Sequence, residues 1–210
     1  YNDYKVTVKN FIKTFNNIYL VKSIFNSSLY DGLFKTIKDY NQPMLKMYAL
    51  TLPVIFFTKD KQGIIVISVV YFILYLLTSA ASKHSATISK KFTSIISAVN
   101  ISYLLGVFLS IAVGVFYLFN YKVLAILIFI FLYAFLNFRR PVNVRIISDN
   151  ISYKVLSSGL STESFLKNII QVILAPLLGI LVDAYGVGNG IAIISCIVFL
   201  LYPFIKLKSK

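Results

Sequence analysis

The sequence predicts an all-α membrane protein with six transmembrane helices. Of its 210 residues, 58% are hydrophobic and only 13% are charged, and the mean hydropathy is +0.80. A typical soluble domain contains about 45–50% apolar and about 25% charged residues. The apolar residues also fall into long runs separated by short charged stretches, which is typical of a chain that crosses a bilayer several times.

The composition also excludes several classes of function. The formal net charge of +14 would suggest nucleic-acid binding in a soluble protein, but here the charges lie between apolar runs, so we expect no nucleic-acid partner. A single cysteine, Cys196, and a single histidine, His84, cannot build a disulfide framework or a Cys/His metal site. The sequence contains no Walker A or H-E-x-x-H motif. We therefore expect a protein that is not an enzyme and has no metal or cofactor.

Residues 1–20 form the first segment, which we predict to be an amphipathic cytoplasmic linker helix. Apolar side chains recur near one helical face, at Val8, Phe11, Phe15 and Ile18, and lysines lie on another, at Lys5, Lys9 and Lys13. This pattern is typical of helices that lie on a membrane surface. A soluble linker fits the same residues equally well. Because Tyr1 is not a methionine and no signal peptide precedes it, we expect this chain to lack an N-terminal part.

Residues 21–46 are predicted to be the first transmembrane span, although hydropathy alone would not identify it. On a helical wheel the polar residues share an arc of about 120°, and they are Ser27, Ser28, Asp31, Lys35, Lys38, Asp39, Gln42 and Lys46. Such a helix can cross a bilayer only if this stripe faces protein or a water-filled cavity; otherwise it lies on the surface. The spacing of Asp31 and Lys35 predicts an ion pair. Residues 44–57 either continue this span or form a re-entrant segment.

The remaining spans follow from plain hydropathy. They are Ile64–Ala81, Ile95–Phe119, Val123–Phe138, the helix within Ser161–Gly188, and Ile191–Ile205, and the loops Ser82–Thr93 and Asn150–Ser161 are polar. We expect Pro176 and Gly179 to interrupt the fourth of these helices, the one within Ser161–Gly188. Gly106 and Gly114 are expected to allow close helix packing, although ordinary packing explains glycines equally well.

The third of these spans, which begins at Val123, has two alternative C-terminal ends. If its helix stops at Phe138, Arg139 and Arg140 are cytoplasmic anchors. If it continues to Asp149, both arginines lie within the membrane.

The distribution of positive charge predicts the orientation. Most lysines and arginines of the connecting segments fall on one side of the predicted spans, and only Lys59, Lys61 and Lys122 fall on the other. Positive residues are enriched on the cytoplasmic side of membranes. We therefore predict an integral protein of the plasma membrane with both termini cytoplasmic.

Three stretches resemble the C-terminal half of major facilitator superfamily (MFS) transporters. In Ser161–Gly188, Gly179 to Gly186 resembles the G-x-x-x-D-x-x-G turn that ends the penultimate helix of that family. DGLFKTIKDYNQP resembles the family's seventh helix, and RRPVNVRIISDN the cytoplasmic end of its tenth. The chain departs from the family at Leu156, where an arginine is often found, and in the loop Ser82–Thr93, which lacks the aspartate of the gating motif.

The resemblance implies that residues 21–210 are an MFS-like half bundle of six transmembrane helices, whose partner is the missing N-terminal half of the same polypeptide. It also implies a secondary active transporter that moves a small solute through the lipid bilayer by alternating access. Residues that would face the substrate are Asp31, Lys35, Lys38, Gln42, Arg139, Arg140, Asn168 and Gln171. Their charges suit an anionic or zwitterionic substrate. Asp31 would exchange protons or form a structural pair with Lys35.

Two alternatives stay open. The chain could be the six-span membrane domain of an ABC-type exporter, which would be favoured by long cytoplasmic helix extensions; the short predicted loop Ser82–Thr93 speaks against them. It could also be a structural or regulatory membrane subunit that carries no flux.

Overall fold

The structure is a computed structural model that describes residues 16–51 and 59–208. This part of the chain is helical and contains no strand. Its helices are α1 (Ile18–Lys38), α2 (Asn41–Thr51), α3 (Lys59–Ser89), α4 (Ile95–Leu118), α5 (Lys122–Ser148), α6 (Leu156–Tyr185), α7 (Val187–Leu200) and α8 (Tyr202–Ile205), with a 3-10 turn at Tyr153–Val155. Most of the predicted linker helix of residues 1–20 lies outside the described residues, and its last three residues begin α1.

Within the described residues, four helical segments are long and apolar enough to cross a membrane. They are Gly63–Ser89, Ile95–Leu118, Lys122–Ser148 and Tyr153–Tyr185. Helix α1 has 21 residues but carries polar side chains on several turns. Helix α7 has only 14 residues because it ends at Leu200, and α8 begins just before Pro203. The all-helical membrane-type fold is therefore confirmed, and the count of six spans stays a prediction.

The predicted first span is divided in two. Helix α1 ends at Lys38, and α2 begins at Asn41 after a turn at Asp39 and Tyr40. The polar stripe predicted along one continuous helix is therefore broken after its first half. Residues 41–51 form a separate helix rather than a continuation of α1, and residues 52–58 lie outside the described part of the chain.

Two segments that we predicted as loops are largely helical. Helix α3 continues to Ser89, so most of the predicted loop Ser82–Thr93 is helix, and α6 begins at Leu156, inside the predicted loop Asn150–Ser161. Neither segment contains a proline, so nothing in them prevents helical backbone hydrogen bonding. Nearby hydroxyl groups find partners within the helix: Ser89 Oγ donates to the Ala86 carbonyl at 3.0 Å and Thr162 Oγ1 to the Ser158 carbonyl at 2.9 Å. Polar residues can therefore continue a helix.

The prolines and glycines of the long helices do not end them. Helix α5 runs through Pro141 to Ser148, so of the two alternatives for the end of this span the structure shows the longer helix and excludes an end at Phe138. Helix α6 likewise passes through Pro176 and Gly179, which do not interrupt it as predicted. The turn between α4 and α5 is tight, and Asn120 within it has a φ of 62°.

In chain order the six longest of the described helices form two triplets, α1–α3–α4 and α5–α6–α7, and several close contacts run from one triplet to the other. Helix α1 packs on α6, α5 packs on α3, and α4 packs on both α5 and α7. A Cβ on Gly114 would lie 2.6 Å from the Gly188 carbonyl oxygen, so only glycine allows α4 and α7 to approach this closely. Gly106 is also closely packed, against Tyr30. These two predicted packing points are confirmed, whereas Gly179 faces open space.

Candidate functional site: a polar cleft between helices α1, α5 and α6

The candidate site is an open cleft of about 690 Å³ where α1, α5 and α6 meet. Its lining residues are Asp31 and Lys35 of α1, Leu136, Asn137 and Arg140 of α5, and Ser164, Lys167 and Asn168 of α6. A neighbouring space of about 470 Å³ shares Arg140, Ser164 and Lys167 and extends to Ser27, Asn143 and Glu163. We call the two together the polar cleft.

Close approach of α1 and α6 brings the charged side chains of the polar cleft together. A Cβ on Gly32 would lie 2.6 Å from Ile170 Cγ2 and 3.3 Å from the Lys167 carbonyl oxygen. The absence of a side chain at Gly32 therefore lets α6 lie directly against α1. As a result, polar groups on the two helices reach hydrogen-bond distance.

Lys167 is the centre of the ion pairs in the polar cleft. Its Nζ lies 3.2 Å from Asp31 Oδ2 and 3.6 Å from Glu163 Oε1, and the three side chains are about one tenth exposed. One ammonium thus balances two carboxylates, one from its own helix and one from α1. Buried charges are normally paired in this way because an unpaired charge is costly outside water.

Hydroxyl and amide groups extend this network to α5. Ser27 Oγ donates to Glu163 Oε1 at 2.9 Å and accepts from Asn143 Nδ2 at 3.1 Å. Ser28 Oγ donates to the main-chain carbonyl of Glu163 at 3.0 Å. The network therefore connects all three helices of the polar cleft, with Ser27 of α1 as the link between α5 and α6.

The predicted ion pair between Asp31 and Lys35 is not formed. Asp31 pairs with Lys167 instead, and Lys35 Nζ donates to Asn168 Oδ1 at 2.9 Å. Both side chains of α1 therefore contact α6 rather than each other. The reason is the close α1–α6 packing, which offers partners that a wheel of α1 alone does not show.

Arg139 lies deeper than the polar cleft and is fully buried. Its guanidinium donates from Nη2 to Asn26 Oδ1 and from Nε to Ser102 Oγ at 3.2 Å. It also stacks over the rings of Tyr30 and Tyr103, at 4.2 and 5.4 Å from their centroids. These contacts join α1, α4 and α5, so the position of Arg139 is that of a packing residue in the bundle interior.

The structure brings some of the predicted site residues together and separates others. Asp31, Lys35, Arg140 and Asn168 line the polar cleft. Arg139 lies in the interior, and Lys38 Nζ lies over the Tyr133 ring at 5.6 Å. Gln42 is exposed on α2 and Gln171 is half-buried on α6, and neither lines the cleft.

Sequence reasoning missed the centre of the network. Lys167 was counted among the cytoplasmic charges and Glu163 was assigned to the polar cluster that opens Ser161–Gly188, although their i,i+4 spacing is that of a helical ion pair. A start of α6 at Leu156 would have placed both on a helix beside Asn168. Asn137 and Asn143, which flank the two arginines, were also missed.

The polar cleft offers charged and hydrogen-bonding groups rather than a metal centre. Among residues 16–51 and 59–208, no three His, Cys, Asp or Glu side chains are grouped closely enough to hold a metal ion. In that same part of the chain, neither Lys35 nor Arg140 forms an ion pair. The arrangement therefore suits binding and release of a polar solute.

Comparisons with protein-family models, with curated proteins and with solved structures found no match to this chain. The likeness to MFS transporters therefore stays a prediction from the sequence motifs. The observations available for assigning a function are the helical membrane-type fold and the polar cleft.

Proposed function

We propose that this chain is the C-terminal six-helix half of an MFS-like secondary active transporter, which moves a small solute across the plasma membrane by alternating access. The polar cleft is the observation that carries the proposal. Charged side chains are costly in a bundle of membrane-length helices, and where they occur they usually line a solute or ion pathway. In this cleft they come from α1 and α5, the first helices of the two triplets, and from α6.

The order of helix contacts supports the same function. The first helix of each triplet packs on the middle helix of the other, α1 on α6 and α5 on α3. Transporters built from inverted repeats have corresponding helices in equivalent positions and a substrate site at the repeat interface. The polar cleft lies where such a site is expected.

Helix dimensions are compatible with six spans. Helix α1, at 21 residues, is about 31 Å long, and α7 with α8, from Val187 to Ile205, covers about 28 Å at about 1.5 Å per residue. Both values approach the thickness of the hydrocarbon core, about 30 Å. The polar side of α1 would then be covered by α6, and both termini would lie on the cytoplasmic side.

The ABC-type exporter domain is the second candidate, and the length of α3 favours it. With 31 residues, α3 is about 46 Å long, which exceeds the hydrocarbon core. The predicted short loop after Ala81 no longer argues against this candidate. An exporter domain of that type would require ATP for flux, whereas the proposed transporter would use an ion gradient.

Transport by the full-length protein in proteoliposomes tests the proposal. With labelled phosphate, succinate and glutamate as probes, we expect uptake driven by a proton gradient and no requirement for ATP. Asp31→Asn should abolish the coupled uptake and leave exchange, because exchange needs no net proton movement. The matched control is Asp149→Asn, which removes an exposed carboxylate at the end of α5.

Each other outcome separates the candidates. Coupled uptake that survives Asp31→Asn removes the coupling role of Asp31. Flux that depends on ATP supports the exporter domain. A subunit without transport activity predicts that neutralising Asp31, Lys35 and Lys38 together changes no flux.

A further inference from the structure

We infer that the polar cleft binds a small oxyanion of net negative charge, with Lys35 and Arg140 as its direct ligands. This inference rests on the proposed function and goes further, because it excludes cations as the preferred substrate and names the binding groups. It is carried by the way charges are matched in the polar cleft.

Both acidic groups of the polar cleft already have a cation. Asp31 and Glu163 share Lys167, at 3.2 and 3.6 Å. Glu163 also accepts the Ser27 hydroxyl. A cationic solute would have to displace Lys167 from these carboxylates before it could bind them.

The other two cations of the polar cleft have no acidic partner. Lys35 Nζ bonds to Asn168 Oδ1, which is a neutral acceptor, at 2.9 Å. Arg140 takes part in none of the ion pairs of the described residues and is exposed to the cleft. Two positive charges of the cleft lining, one on α1 and one on α5, are therefore left for a solute.

The uncharged lining groups also favour an oxyanion. Asn137, Asn168 and Ser164 offer N–H and O–H donors to the same space. A guanidinium presents a planar pair of donors that matches a carboxylate or phosphate group, and an ammonium adds a point charge. A bound anion would offset the cost of holding Lys35 and Arg140 within a membrane bundle.

Ligand binding to the full-length protein in nanodiscs tests the inference without requiring transport. The probes are inorganic phosphate and succinate, with choline as a cation, measured by calorimetry. We expect the anions to bind better than choline, and Lys35→Gln and Arg140→Gln each to weaken anion binding by about tenfold or more, as for the loss of a hydrogen bond to a charged group. Lys35→Arg, which retains the charge, should retain most of the affinity.

Two control variants have matched chemistry outside the polar cleft. Lys83→Gln changes an exposed lysine on α3, and Arg145→Gln changes an exposed arginine on α5. Both should bind the anions within about twofold of the unchanged protein, which corresponds to a difference of about 0.4 kcal/mol. Thermal unfolding of every variant shows whether a loss of binding reflects a loss of fold. If Lys35→Gln does not fold, the affinities of Arg140→Gln and of the charge-retaining Lys35→Arg test the inference instead.

The inference and the proposed function can fail separately. The inference of an anion site is overturned if choline binds better than the anions, if neither anion binds at millimolar concentration, or if the controls lose as much affinity as the cleft variants. Proton-driven flux of a cation would leave the transporter proposal standing and remove the anion preference. Anion binding that depends on Lys35 and Arg140, in a protein without flux, would support the anion site and contradict the transporter proposal.

Discussion

The α4–α7 contact and the polar cleft join helices of the two triplets in different ways. At the α4–α7 contact, Gly114 and Gly188 bring main chains together, and a Cβ on Gly188 would lie 2.7 Å from the Leu118 nitrogen. Between the same two helices, Tyr103 Oη of α4 donates a hydrogen bond to the Val198 carbonyl of α7 at 3.1 Å. In the polar cleft, Gly32 provides the close approach and the charged groups around Lys167 provide the bonds.

This difference indicates which contact is fixed and which can rearrange. Helices in lipid associate through van der Waals packing and polar bonds, because lipid removes most of the hydrophobic driving force. Glycine-mediated packing is satisfied in only one arrangement, since any shift opens a gap between the backbones. Ion pairs and amide bonds can exchange partners with a solute. We therefore expect α4–α7 to act as a rigid unit and the polar cleft to change with binding.

The largest expected effect on stability comes from removing the central cation of the polar cleft. Lys167→Met leaves the buried Asp31 and Glu163 without a cation, and we expect the free energy of unfolding to fall by about 3–5 kcal/mol. Unfolding in mixed detergent micelles measures this change. The triple variant that adds Asp31→Asn and Glu163→Gln should recover most of the loss, because it removes the stranded charges. Equal stability of Lys167→Met and the unchanged protein would contradict the central role of Lys167.

A smaller effect is expected at the α4–α7 contact. Gly114→Ala places a Cβ 2.6 Å from main-chain atoms of α7, which must move, so we expect a loss of about 1–3 kcal/mol in the free energy of unfolding. Gly179→Ala is the matched control, because a Cβ there meets no atom within 4 Å. It should be neutral or stabilising by up to about 1 kcal/mol, as expected for alanine in a helix. Equal effects of the two substitutions would show that helix propensity, rather than close packing, determines them.

The smallest effect is expected for the exposed pair at the end of α5. Arg145 Nε and Asp149 Oδ2 lie 3.8 Å apart, and their side chains are 59% and 58% exposed. Arg145→Gln should lower the free energy of unfolding by less than about 1 kcal/mol, as is usual for ion pairs in contact with water. The same micelle unfolding assay measures it. A loss as large as that of Lys167→Met would mean that burial is not what distinguishes the polar cleft.

The long helices were predictable because their apolar runs are long, but several of their ends were not. Ser82 to Ser89 and Leu156 to Ser161 are polar, and polarity was taken as a sign of loops. Polarity alone does not end a helix: neither stretch contains a proline, and the hydroxyls of Ser89 and Thr162 bond to carbonyls of the preceding turn. Because the start of α6 was placed too late, Glu163 and Lys167 were not recognised as helical neighbours that could form an ion pair.

The polar cleft was predictable only in part. Asp31 and Lys35 could be identified because charged residues on a helix that enters a membrane must face protein or water. Their partners could not be identified, because these depend on how closely α6 approaches α1. That distance is determined by the contact between Gly32 and Ile170. A wheel of α1 alone therefore suggested an Asp31–Lys35 pair where the structure has two contacts to α6.

The sequence by itself determined that this protein is helical and has membrane-length apolar segments. Only the tertiary structure decided which charged groups share a cleft. Arg139 and Arg140 are neighbours in the chain, yet one is fully buried among Tyr30, Asn26 and Ser102 and the other lines the polar cleft. Consecutive residues point about 100° apart around a helix axis. Which of the two faces the cleft therefore depends on the rotation of α5 within the bundle, which is determined by contacts between residues distant in the sequence.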